Sequence, residues 1–147
     1  MAADAPLPPP SERKSLPPQP PPAVPRRPRV LIIDDEPTLV RLFGLALRDK
    51  CDVDMFQSGR AALEKLLSGA RYDLVFCDLM LGDLGGKGLY EQLALQAPGR
   101  EREIIFMTGG VFDSEVAAFL ERIPNACIGK PFDIRAEVHK RLRAMFD

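Results

Sequence analysis

The sequence predicts an α/β domain with a doubly wound, five-stranded parallel sheet and helices on both faces. Two observations carry this. Short runs of wholly apolar residues recur along the chain, as strands buried on both faces require. Between them lie segments whose apolar residues repeat at helical spacing, the alternation that builds parallel sheets.

The first apolar run is Val30-Leu31-Ile32-Ile33. Leu39, Val40, Phe43, Ala46 and Leu47 then make one helix face, with Pro37 suited to its first turn. Cys51-Asp52-Val53-Asp54-Met55 alternates polar with apolar residues and predicts a half-exposed edge strand. Ser58 is a candidate cap for a helix burying Ala62, Leu63, Leu66 and Leu67. Leu74-Val75-Phe76-Cys77 is the next buried strand, and Leu89 and Leu93 mark a third helix. Ile104-Ile105-Phe106-Met107 is the fourth strand, followed by a helix carrying Val116, Phe119 and Leu120. Ala126-Cys127-Ile128 is a short fifth strand. Ile134, Val138, Leu142 and Met145 step down a last helix, with Asp133 as its cap.

The first 28 residues have a different texture. They hold 11 of the 15 prolines, including Pro8-Pro9-Pro10 and Pro20-Pro21-Pro22. Proline lacks a backbone donor and favours an extended chain, so residues 1–28 are expected to be a disordered tail and 29–147 the folded domain. Pro22-Ala23-Val24-Pro25-Arg26 also fits a PxxPxR docking pattern, a match that arises easily in proline-rich sequence. The first 29 residues carry +3 and the rest −4, which sum to the chain's net charge of −1. That balance gives no electrostatic footprint for nucleic acid. No apolar run approaches the roughly 20 residues of a bilayer span, so no membrane insertion is expected. Cys51, Cys77 and Cys127 form no CxxC pair, and a reducing cytoplasm suits them. Cys77 and Cys127 are expected to be small buried hydrophobes. His139 lies among Lys140, Arg141 and Arg143 and reads as a solvated helical residue.

In parallel α/β sheets, ligands bind beyond the carboxyl ends of the strands. The residues there are Asp34-Asp35-Glu36, Asp78, Thr108 and Gly129-Lys130-Pro131. Clustered carboxylates repel unless a cation joins them, and hard oxygens suit Mg²⁺. Asp35 and Asp78 are expected as direct ligands and Asp34 as one acting through water. Lys130 supplies a second positive charge, Thr108 a hydroxyl, and the backbone N–H groups of Leu79 and Gly109 further donors. Phosphoryl transfer needs mainly positioning and charge neutralisation, and a carboxylate held here is a nucleophile able to form an aspartyl phosphate.

The segments LIIDDEP, LVFCDLM, IIFMTGG and CIGKPF, in that order, resemble the response-regulator receiver family. Asp35 to Asp78 spans 43 residues, Asp78 to Thr108 30, and Thr108 to Lys130 22, as in that family. The resemblance covers roughly residues 29–147. It implies a flavodoxin-like strand order of 2-1-3-4-5. It further implies Asp78 as phosphoacceptor, Asp34, Asp35, Asp78 and the Met80 carbonyl around Mg²⁺, and Gly86 at a turn. A sensor histidine kinase or histidine phosphotransfer protein would be the donor, acting in the cytoplasm on an unidentified downstream protein. Only 17 residues follow Lys130, so no fused DNA-binding domain and no direct nucleic-acid contact are expected.

Three positions depart from the family. Gly82 stands where proline is usual, Asp83 adds a negative charge read as solvated, and Cys127 replaces the aromatic ring that reports phosphorylation. With Cys127 too small to switch, output is expected to run through Val111 and Phe112. The competing reading is a phosphorylation-independent interaction module of the same fold, kept open by Cys127. A turnover phosphatase with an aspartyl intermediate is disfavoured, because Met80 occupies the place of its second acid. No glycine-rich nucleotide loop is present.

Overall fold

The computed structural model describes residues 26–110 and 113–146. Five strands form one parallel sheet: β1 (Arg29–Ile33), β2 (Asp52–Phe56), β3 (Leu74–Asp78), β4 (Ile104–Thr108) and β5 (Cys127–Gly129). Their order is β2-β1-β3-β4-β5, and each adjacent pair is parallel. The helices are α1 (Pro37–Leu47), α2 (Gly59–Leu67), α3 (Gly86–Gln96), α4 (Ser114–Arg122) and α5 (Ile134–Phe146). A 3₁₀ turn, Arg100–Glu103, precedes β4. The flavodoxin-like order expected from the resemblance is therefore the observed one.

Strand pleating explains the two faces. Successive side chains point to opposite sides, so each fully apolar strand feeds two cores. Val30, Ile32, Leu74, Phe76, Ile105 and Met107 pack with Phe43 and Leu47 of α1 and Val138 of α5. Leu31, Ile33, Val75, Cys77, Ile104 and Phe106 face Ala62 and Leu66 of α2, Leu89 and Leu93 of α3, and Phe119 of α4. Phe119 meets Phe106 and Tyr90 edge-on, at centroid distances of 5.8 and 5.3 Å. Such T-shaped contacts add to the burial of the rings.

The expected caps form: Ser58 accepts from Ala61 N–H at 3.2 Å and Asp133 from Ala136 N–H at 3.0 Å. Asp113 adds a cap that the sequence reading did not name, accepting from Val116 N–H at 2.9 Å. Two positions predicted on buried helix faces, Leu67 and Met145, are exposed, and so is Met55 of the edge strand. Leu67 and Met145 come at the ends of their helices. Met55 is on the edge strand, where a shallow groove lined by Gly44, Leu45 and Val53 leaves it uncovered.

The expected tail lies mostly outside the described residues, which begin at Arg26. Arg26 grips Asp73 through two hydrogen bonds of 2.8 Å. Arg27 pairs with Asp52 at 3.0 Å and donates to the carbonyl of Cys51 at 2.9 Å. The chain is thus fastened to the domain three residues before β1. Among the described residues, no helix is long and apolar enough to cross a membrane.

Candidate functional site

Each central strand delivers polar residues to the same rim. β1 stops at Ile33, so Asp34 and Asp35 lie just beyond it. β3 ends on Asp78 and β4 on Thr108. β5 ends on Gly129, one residue before Lys130. Register aligns these ends, with Asp78 beside Met107 and Thr108 beside Gly129.

The side chains of Asp34, Asp35, Asp78 and Lys130 converge. Asp34 is fully buried, Asp78 is nearly so, and Asp35 is exposed. Carboxylate oxygens of the three aspartates lie within 4.8 Å of one another. Lys130 Nζ donates to Asp34 Oδ2 at 2.7 Å and stands 3.5 Å from Asp78 Oδ2. The other oxygen of Asp34 accepts from Glu36 N–H at 2.9 Å. Both Asp34 oxygens are therefore satisfied, as a buried carboxylate requires. Met80 N–H faces Asp78 Oδ1 at 3.3 Å.

One ammonium against three carboxylates leaves an excess of negative charge. Burial, and then the charge of Asp34, push the Asp78 carboxyl above its ordinary range, against the pull of Lys130. Burial works to lower the Lys130 pKa, but the hydrogen bond and charge of Asp34, joined by Asp78, outweigh it and raise it. A hard divalent cation relieves such an excess. The donor set is all oxygen, and exposed Asp35 leaves room for the waters that Mg²⁺ retains. The cluster can hold that ion.

Several expected details are corrected. Leu79 N–H is not a free donor, because it bonds the carbonyl of Met107 at 3.0 Å and extends the ladder past β3. Met80 supplies the amide facing Asp78 instead. Thr108 is at the rim, but its Oγ1 lies 3.4 Å from both the backbone N and O of Gly110, held by its own loop. Asp83 is not merely solvated: it accepts from Ser58 Oγ at 2.7 Å and from the N–H groups of Gly59 and Arg60. The signal for it was a carboxylate five residues past Asp78 together with a Ser-Gly helix start. Cys77 is buried as expected, whereas Cys127 is exposed, because the short edge strand β5 leaves it outside both cores. Gly86, expected at a turn, is instead the first residue of α3, where close packing excludes a side chain: a Cβ there would sit 3.0 Å from the Phe106 ring and 3.1 Å from Leu79 Cα. Val111 and Phe112 lie outside the described residues.

The chain belongs to the response regulator receiver domain family, whose profile matches residues 30–143. It is 36% identical over 118 residues to the response regulator ArlR of Staphylococcus saprophyticus, covering 80% of this chain and 51% of that protein. The chain thus spans about half the length of that curated relative. Among solved structures it is similar to the receiver domain of the sensor histidine kinase PA1611 from Pseudomonas aeruginosa PAO1, which has a magnesium ion coordinated in its active-site cleft. That likeness is 26% identity and a TM-score of 0.67, covering 81% of this chain and 97% of the other. A sensor protein from Polaromonas sp. JS666 is similar at 28% identity and TM-score 0.67, covering 82% and 97%.

Proposed function

We propose that this chain is a phosphoacceptor receiver of a two-component phosphorelay, with Asp78 taking the phosphoryl group. The observation that carries the reading is the Asp78 carboxylate, at the end of β3, sharing one 4.8 Å cluster with Asp34 and Asp35 and lying 3.5 Å from Lys130 Nζ. An Asp78 oxygen attacks the phosphorus of a phosphohistidine on a sensor kinase or phosphotransfer protein. The P–N bond breaks, the imidazole leaves, and an acyl phosphate forms. Hydrolysis of that bond releases phosphate and restores the carboxylate, so the protein assists its own reset without being a turnover enzyme.

Asp34, Asp35, Asp78 and the Met80 carbonyl would hold Mg²⁺, which supplies charge neutralisation for the incoming phosphoryl oxygens. Lys130 provides a fixed positive charge beside the acceptor, and the Thr108 hydroxyl serves as donor once freed from Gly110. We assign residues 29–147 to the receiver and 1–28 to a proline-rich tail, acting in the cytoplasm with an unidentified downstream protein. Intact mass after incubation with acetyl phosphate and Mg²⁺ tests the assignment: one phosphoryl adduct is expected, and no adduct overturns it. Exposed Cys127, in place of a switching ring, favours one second reading, a phosphorylation-independent interaction module of the same fold. The same measurement separates the two.

A further inference from the structure

The loop from Leu79 to Gly85 carries the Met80 amide that faces Asp78, and it lacks the stiffening proline its family usually places at Gly82. A short, ordered path nevertheless pins it. Asp83 Oδ2 accepts from the Ser58 hydroxyl at 2.7 Å and from Arg60 N–H at 3.1 Å, while Oδ1 accepts from Gly59 N–H at 3.0 Å. Ser58 Oγ in turn takes the next amide, Ala61 N–H. The first three N–H groups of α2 are therefore all bonded, two of them to a carboxylate from another part of the chain. These hydrogen bonds hold the Asp83 carboxyl well below the usual carboxylate range.

Packing repeats what the hydrogen bonds do. A Cβ at Gly59 would lie 2.1 Å from the Leu84 carbonyl oxygen, so the loop backbone rests directly on the start of α2. A Cβ at Gly88 would meet Leu84 Cδ1 at 2.6 Å. Gly86 N–H closes the far end of the loop onto the Leu79 carbonyl at 3.1 Å. Between these fixed points the loop passes two of the three clustered carboxylates: Met80 N–H faces Asp78, and at Gly82 a Cβ would lie 3.7 Å from Asp35 Oδ2.

We infer that Asp83 is a positioning residue, clamping the loop after Asp78 onto the N-terminus of α2 so that the Met80 backbone stays aimed at the cation and phosphoryl site. The inference rests on the phosphoacceptor reading above but deepens it. The helix cap is one role of the carboxylate; setting the geometry of the acceptor loop is a second, and the two separate experimentally. Loss of a group that orients metal ligands costs on the order of 10-fold or more in metal affinity.

The test compares full-length wild type with Asp83→Ala, Asp83→Asn and Ser58→Ala. Each is titrated with Mg²⁺ alone, melted thermally, and phosphorylated by acetyl phosphate with rate and donor dependence resolved. Asp83→Ala is expected to weaken Mg²⁺ binding about 10-fold and to slow phosphorylation at saturating donor. Ser58→Ala removes the cap but leaves Asp83 two amide donors, so it should lower the melting temperature while holding Mg²⁺ affinity within about 2-fold, well short of the loss expected for an orienting group. Asp83→Asn keeps one accepting oxygen and should fall between wild type and alanine; it carries the test if Asp83→Ala fails to fold. Unchanged Mg²⁺ affinity and rate in the folded Asp83 variants overturn the clamp, leaving a helix cap alone. If wild type takes no phosphoryl group the function fails instead, and the Mg²⁺ titrations still decide the clamp.

Discussion

The two ends of the sheet both gather charge, and they settle it differently. At the amino ends of the strands, carboxylates meet guanidinium groups one for one: Arg26 with Asp73, Arg27 with Asp52, Arg29 with Asp54. Arg26 and Arg27 are exposed, Arg29 is half-buried, and the Tyr72 hydroxyl adds a 2.6 Å bond to Asp54. At the carboxyl ends, buried Asp34 and Asp78 share the ammonium of Lys130, and exposed Asp35 joins them in the same carboxylate cluster. The solvent-facing pairs, Arg27–Asp52 and Arg29–Asp54, fasten the chain at little energetic consequence, while the shielded Asp73 is balanced by Arg26 and the Arg29 amide. An unbalanced buried cluster costs stability and persists where chemistry uses it.

Breaking the unbalanced end should have the largest effect. Asp78→Asn is expected to abolish phosphorylation while keeping the fold, because the amide is nearly isosteric yet is no nucleophile. Labelling by acetyl phosphate checks this, and full labelling of the mutant would move the acceptor elsewhere. Next comes Lys130→Ala, which strips buried Asp34 of its ion partner. In metal-free buffer it should destabilise by about 3 kcal/mol, the low end for halving a buried pair. Denaturant melts read this, and recovery on adding Mg²⁺ would show that the cation replaces the ammonium.

Mg²⁺ itself should stabilise the wild type by linkage, by about 2.7 kcal/mol at one hundred times its Kd. Asp35→Ala should remove most of that gain, and a thermal shift that survives the substitution would put the ion at another site. The smallest effect belongs to the balanced end. Asp52→Ala loses an exposed pair with Arg27, whose bonds to the Arg48 and Cys51 carbonyls remain, and should change stability by no more than about 1 kcal/mol. A loss several-fold larger, in melts at low and high salt, would mean the amino end is as dependent on its charges as the carboxyl end.

Much of this was legible in the chain. Wholly apolar runs followed directly by Asp34, Asp78 and Thr108, and a short strand just before Lys130, place the rim, because parallel strands point one way and ladder pairing aligns their ends. The alternation in Cys51-Asp52-Val53-Asp54-Met55 marks the edge, and β2 is the edge. Ser58, Asp133 and Pro37 announce helix starts through local chemistry alone. Less legible were positions whose environment comes from distant residues. Met55 and Cys127 have apolar side chains and strand spacing, yet both stay exposed, since burial at a sheet edge depends on whether a helix covers it.

Sequence by itself determined the order of elements, the two-faced core and the set of groups brought to the rim. Each of these follows from periodicity and strand direction, which are local properties summed along the chain. The tertiary structure alone decided which polar group each of those residues meets. Lys130 reaches Asp34 across 96 positions and Asp83 reaches Ser58 across 25. Leu79 gives its amide to Met107, so Met80 takes the place beside Asp78. Hydrogen bonds are set by distance and direction in space, and no spacing in the sequence encodes which of several nearby donors is already engaged.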